Sequence, residues 1–115
     1  MTLQSFSART GEPYGQPVPA TTSDELNTAI GKAAEAFDDW QASDGAQRAS
    51  LLNALATALE QDREKLLELA DAETGLGLPR LNGELDRTAF QLRRFATIAQ
   101  NGGAFAFTDD PAVAG

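Results

Sequence analysis

The sequence predicts a mainly α-helical chain, with three amphipathic helices behind a short, extended, hairpin-like N-terminal stretch. Three observations lead there. Leu and Ala dominate the apolar residues, while only Val18, Ile30, Ile98 and Val113 represent the aliphatic β-branched types that favour sheet. Apolar side chains recur every three or four positions through three long stretches, which is the period of one helix face. Helix-start and helix-stop residues stand at the ends of those stretches.

Residues 1–21 are expected to be extended. They are polar, carry three of the five prolines, and place Thr10-Gly11-Glu12-Pro13 as a tight turn between two short strands, with Phe6 and Tyr14 pairing across it. The first helix is predicted over 22–41. Thr22 and Glu25 have the spacing of a capping box, and Leu26, Ala29 or Ile30, Ala33, Phe37 and Trp40 draw one apolar face. Phe37 and Trp40 are expected to anchor a core, with an inter-subunit contact as the alternative. Ser43-Asp44-Gly45 stops this helix and offers Ser43 as the next N-cap.

The second helix is predicted over 44–74, with Ala49, Leu52, Leu55, Ala56, Leu59, Leu66, Leu69 and Ala70 on its stripe and one polar interruption at Asp62-Arg63. Gly75 fits a left-handed C-cap, and Gly77 and Pro79 forbid continuation. The third helix is predicted over 80–100, with Leu81, Leu85, Ala89, Leu92, Phe95, Ala96 and Ala99 on one side; Asn101-Gly102-Gly103 ends it. A tail over 101–115 alternates weakly through Phe105 and Phe107, then turns rich in Pro, Ala and Gly.

Composition excludes several functions. Nine Lys and Arg stand against 17 Asp and Glu, a formal charge of −8. That sign opposes binding to nucleic-acid phosphates or to an anionic membrane surface. Cys and His are absent, so the chain holds no thiol nucleophile, imidazole base, disulfide or Cys/His metal site. No basic start with an apolar run resembles a signal peptide, and no stretch approaches a membrane span, so the expected location is cytoplasmic.

The remaining motifs read as scaffold. Gly75-Leu76-Gly77 follows a helix rather than a strand and lacks the third glycine of a dinucleotide loop, where Arg80 stands. Glu84 and Asp86 diverge around a helix, and Glu60, Glu64 and Glu68 share a face expected to be solvated. Arg93 and Arg94 flank the apolar stripe, where they are expected to cover a neighbour or pair with acids. Arg87 lies one turn from Gly83, whose missing side chain leaves room for a ligand, and is the candidate carboxylate-binding residue.

Taken in order, these segments resemble the start of the aldehyde dehydrogenase superfamily. The resemblance is carried by Thr10-Gly11-Glu12, Ala36-Phe37-Asp38-Asp39-Trp40, Arg48, Leu59-Glu60 and Glu73-Thr74-Gly75. Gly83-Glu84-Leu85-Asp86-Arg87-Thr88 and Gln91-Leu92-Arg93-Arg94-Phe95-Ala96 are more specific, and look like the branch that oxidises 2,5-dioxovalerate (α-ketoglutarate semialdehyde) with NADP. The match covers about residues 6–107. It implies that the chain is a piece of the family's α/β fold, a truncated product or fragment.

In the family, a Cys thiolate attacks the aldehyde and hydride passes to NAD or NADP. The nucleophile, the water-activating Glu, the oxyanion Asn and the cofactor strands lie further along a longer chain. The resemblance therefore implies no catalytic, cofactor-binding or metal residue here, and only Arg87 carries over, at the substrate entrance. Partners implied are the remainder of the fold or another subunit, and the isolated chain is expected to be loose or self-associating. The rival expectation is a stand-alone helical interaction module with no enzymatic role.

Overall fold

A computed structural model describes residues 1–105. The chain opens with two antiparallel strands, β1 (Thr2–Phe6) and β2 (Pro13–Pro19), followed by four helices. These are α1 (Ser23–Gln41), α2 (Gly45–Gln61), α3 (Arg63–Thr74) and α4 (Leu78–Gln100). The mainly helical class and the leading hairpin match the sequence reading, but the number of helices does not.

The hairpin turns where predicted. Gly11 sits at φ 72°, a left-handed conformation that favours glycine, and the Gly11 N–H donates to the Ser7 carbonyl at 2.8 Å. The register is displaced from expectation, since Phe6 pairs with Pro13 and Tyr14 with Ser5. Thr22 caps α1 as predicted: its hydroxyl accepts from the Glu25 N–H at 3.2 Å, and the Glu25 carboxylate accepts from the Thr22 N–H at 2.8 Å. The N-cap of α2 is Asp44, not Ser43, because a second reciprocal box forms between Asp44 and Gln47. Ser43 instead donates its hydroxyl to the Trp40 carbonyl at 2.6 Å and accepts from Arg48.

The predicted 44–74 helix is two helices. Asp62 leaves helical geometry at φ −91° and ψ 12°, at the polar interruption. The break changes which side chains point inward: Leu67 is buried on α3, whereas Leu55 and Leu69 are largely exposed. Gly75 closes α3 in the left-handed conformation, and Pro79 stands in the first turn of α4, where its missing N–H costs nothing. Asn101 caps α4 as expected. Phe105 is exposed, and Phe107 and the rest of the tail lie outside the described residues.

The core is the antiparallel contact of α2 with α4. Ala49 and Ala56 on α2 and Ala89 and Ala96 on α4 are buried, Ala56 completely, together with Leu67 and Leu85. Small side chains let the two backbones approach closely, and Leu67 and Leu85 each contribute about 1.5–3 kcal/mol by burial. At one end, a Cβ on Gly45 would lie 2.3 Å from the Ala99 carbonyl oxygen.

The α1 helix stays outside this core. All of its residues are exposed, so Phe37 and Trp40 are surface residues rather than core anchors, at 59% and 45% exposure. Phe95 is likewise turned outward on α4. The radius of gyration is 20.6 Å, against about 13 Å for a compact domain of roughly this length.

Replacing Gly45 by Ala ordinarily favours a helix by about 1 kcal/mol. Here it is expected to destabilise the α2–α4 pair by about 1–3 kcal/mol, because backbone must move to admit the methyl group. Urea unfolding followed by circular dichroism measures the sign directly.

Candidate functional site

An open groove of roughly 610 Å³ lies between the hairpin, α3 and the start of α4. Arg9 and Tyr14 line it from the hairpin, Leu67, Glu68 and Asp71 from α3, and Asn82 from α4. Its centre is Asp71, one turn before the end of α3. Asp71 Oδ1 accepts from Arg9 Nη2 at 2.9 Å and from the Gly77 N–H at 2.9 Å. Arg9 Nη1 also donates to the Asp71 carbonyl at 3.2 Å, and the Ala8 N–H donates to the Ala72 carbonyl at 2.8 Å. One carboxylate thus joins the hairpin, the end of α3 and the turn into α4. Its side chain is 20% exposed, and the Arg9 hydrogen bond, helped by the Gly77 N–H, holds its pKa below the ordinary Asp value.

Two further pairs tie helices together. Arg63 donates to Asn82 Oδ1 at 3.0 Å and to Asp86 Oδ1 at 2.6 Å, joining α3 to α4 across the Asp62 break. Arg93 on α4 grips both Glu60 oxygens at 2.7 and 2.6 Å. That bond pulls the Glu60 carboxyl below its usual range and raises the Arg93 guanidinium. Glu60 is therefore a half-buried partner rather than part of a solvated face, while Glu64 and Glu68 stay exposed as expected.

Arg87, the candidate carboxylate binder, is 63% exposed and donates to Glu84 on its own helix through Nε at 3.2 Å and through Nη2. It does not line the groove. The space beside Gly83 is open, with nothing within 4 Å of where a side chain would start. Glu84 and Asp86 diverge as predicted, one toward Arg87 and the other toward Arg63.

This arrangement positions backbone. The three carboxyls with resolved shifts among those just described, Glu60, Asp71 and Glu84, are all held toward the ionised form, the opposite of what a general acid requires. No cluster of acids able to hold a metal ion occurs among the described residues, and none of their helices is long and apolar enough to cross a membrane. The Arg9–Asp71 and Arg63–Asp86 pairs escaped the sequence reading because their partners are 62 and 23 residues apart. For Arg63 the polar interruption was the available signal.

Comparison with known proteins gives a consistent family. The sequence model of the aldehyde dehydrogenase family matches residues 1–109. An alpha-ketoglutaric semialdehyde dehydrogenase 2 of Azospirillum brasilense is 39% identical over 112 residues, covering 96% of this chain and 21% of that protein. An alpha-ketoglutaric semialdehyde dehydrogenase of Acinetobacter baylyi is 37% identical over 112 residues, covering 97% of this chain and 21% of that protein. A 2-aminomuconic semialdehyde dehydrogenase of Danio rerio is 34% identical over 96 residues, covering 83% and 20%. The chain spans about a fifth of the length of these curated relatives.

The Asp71 node makes hairpin docking pH-dependent with a defined sign. A carboxyl whose pKa is depressed on folding contributes stability above the unfolded value, and that contribution is lost as pH falls through the folded value. Docking is expected to be constant near neutrality and to weaken once pH falls below about 4. Emission of Tyr14, the single tyrosine, and amide exchange at Ala8 follow it. Asp71→Asn is expected to speed exchange at Ala8 and Gly77 at neutral pH and to flatten the acid dependence of that step.

Proposed function

Since the chain belongs to the aldehyde dehydrogenase family, we propose that it is the helical N-terminal scaffold of an NADP-linked, cytoplasmic enzyme oxidising an aldehyde that also bears a carboxylate. The observation that carries this reading is an unfilled apolar groove on the helical body, of about 240 Å³. Leu59 from α2, Leu66 and Ala70 from α3, and Leu81 and Leu85 from α4 line it, and Leu55 and Leu69 are also exposed. A broad apolar face shared by three helices suits a layer of sheet and helix supplied by the remainder of the family fold. A self-contained helical module would have covered it, and no observation favours that rival. The relatives named for semialdehydes support the substrate class.

NADP supplies a hydride acceptor when bound, and the residues present do not fit it. Gly75 and Gly77 are spent closing α3 and opening α4, and the Gly77 N–H that could face a phosphate is already given to Asp71. The only sheet among the described residues is the antiparallel hairpin, which forms no crevice between parallel strands. The chain also has no Cys to attack an aldehyde. Its contribution is therefore to orient and exclude water. Arg87 is the residue we place at the substrate entrance, where a substrate carboxylate would displace Glu84 from the guanidinium.

The purified chain is expected to reduce no NADP in the presence of 2,5-dioxovalerate, followed by absorbance of the reduced cofactor. Mixing it with the Azospirillum brasilense relative expressed without its matching residues is expected to raise activity above that of either piece. Turnover by the chain alone, or a mixture no better than its parts, overturns the scaffold reading.

A further inference from the structure

Two Asn-Gly pairs occur in the sequence, Asn82-Gly83 and Asn101-Gly102. Such a pair can react with itself: the backbone nitrogen after the asparagine reaches the side-chain carbonyl carbon, and glycine puts no side chain in the way. A fold suppresses this reaction where it holds the amide and keeps the backbone helical, because ring closure requires local opening. The two pairs stand in opposite surroundings.

Asn82 lies within α4, and both ends of its amide are held. Its Oδ1 accepts from Arg63 at 3.0 Å, and its Nδ2 donates to the Leu78 carbonyl at 3.1 Å. Gly83 follows inside the same helix, so turning this stretch out of helical geometry breaks hydrogen bonds on both sides of it. Asn101, by contrast, is the exposed C-cap of α4, at φ −91° and ψ 2°. Neither its side chain nor the Gly102 N–H enters a hydrogen bond among the described residues. Gly102 stands in the left-handed conformation at φ 67°. The turn beyond Asn101 is held by the Gly103 N–H on the Ile98 carbonyl and by the Phe105 N–H on the Gly102 carbonyl, both at 3.0 Å. These are bonds at a helix end, where opening is least costly.

We propose that Asn101 is a site of spontaneous covalent modification. The Gly102 nitrogen loses its proton to hydroxide and attacks Cγ of Asn101. The new C–N bond closes a cyclic imide, the Cγ–Nδ2 bond breaks, and the nitrogen leaves as ammonia after taking up a proton. One water then opens the ring at either carbonyl, which leaves aspartate or isoaspartate at position 101. The net change is amide plus water to acid plus ammonia, with nothing oxidised or reduced. The product adds a negative charge to a chain already at −8, at the C-terminal end of a helix, where the macrodipole disfavours it. Isoaspartate also inserts a methylene into the main chain between the Ile98 carbonyl and the Gly103 N–H, and so pulls that bond apart. Modification therefore loosens the last turn of α4, beside the place where the Ala99 carbonyl faces Gly45. It does not rest on the enzymatic role proposed above, because the reaction needs only this chain and water.

Trypsin separates the two pairs, since cleavage after Arg80, Arg87 and Arg94 puts Asn82 in the peptide 81–87 and Asn101 in the peptide 95–115. The folded 115-residue chain is incubated in mildly alkaline buffer, digested and mapped by mass spectrometry. Peptide 95–115 is expected to gain the mass of an NH2-to-OH exchange roughly tenfold or more faster than peptide 81–87. Chromatography is expected to resolve two products of equal mass, aspartate and isoaspartate. In concentrated urea the two peptides are expected to react at similar rates, which assigns the difference to the fold. Asn101→Gln is expected to leave 95–115 unmodified over the same period, and Asn101→Asp to speed amide exchange at Gly103 without loss of helicity. Equal rates in the folded chain, an Asn101 that does not react, or a product free of isoaspartate overturns the proposal.

Discussion

The close antiparallel approach of α2 and α4 is the constraint on which the rest of the structure depends. Gly45, Ala49 and Ala56 on one helix and Ala89 and Ala96 on the other leave so little between the backbones that the two helices form a plate rather than a rounded bundle. A plate of this kind has two faces and cannot cover both itself. On one side, α3 and the hairpin are laid across its end and held by Asp71. Even there, the Leu-lined groove between α2, α3 and α4 stays open.

The ion pairs follow from the same geometry. Small residues bring helices together but specify their rotation and register poorly, since an Ala stripe slides with little penalty. Arg93 with Glu60, and Arg63 with Asn82 and Asp86, supply the missing specificity by pinning α4 against α2 and α3 at two separate points. These pairs are half exposed, so their net contribution to stability is small. Their value lies in direction, because a forked guanidinium holds a carboxylate in one orientation.

What could be read from the sequence was whatever is encoded locally. Thr22 with Glu25, Gly11 and Gly75 each act within a few residues, and each was found where expected. Ser43 and Asp44 are adjacent and both suit a cap, and what selects Asp44 is Gln47 reaching back to it. The break at Asp62 was visible as a flaw in the stripe but not as a helix end, since no glycine or proline marks it. Phe37 and Trp40 looked like core because an apolar face says only that something covers it. The family resemblance was legible from motif order, whereas the groove around Asp71 was not, because it is assembled from pieces more than sixty residues apart.

The distribution of donors supports the proposed scaffold role. Phosphate and carboxylate recognition needs cations and backbone N–H groups left unengaged. Arg9, Arg48, Arg63, Arg87 and Arg93, five of the seven arginines, donate to groups of this chain, and the Gly77 N–H is spent on Asp71. Among these five, only Arg87 spends its guanidinium on a neighbour one turn away in its own helix, an exposed pairing that stabilises little and yields readily to a competing carboxylate. The others lock elements distant in sequence, or the corner between α1 and α2, and releasing them would loosen the fold. Of these five, Arg87 is the one that can exchange its partner without disturbing the helices around it, which is the reason it is the residue proposed for the substrate entrance.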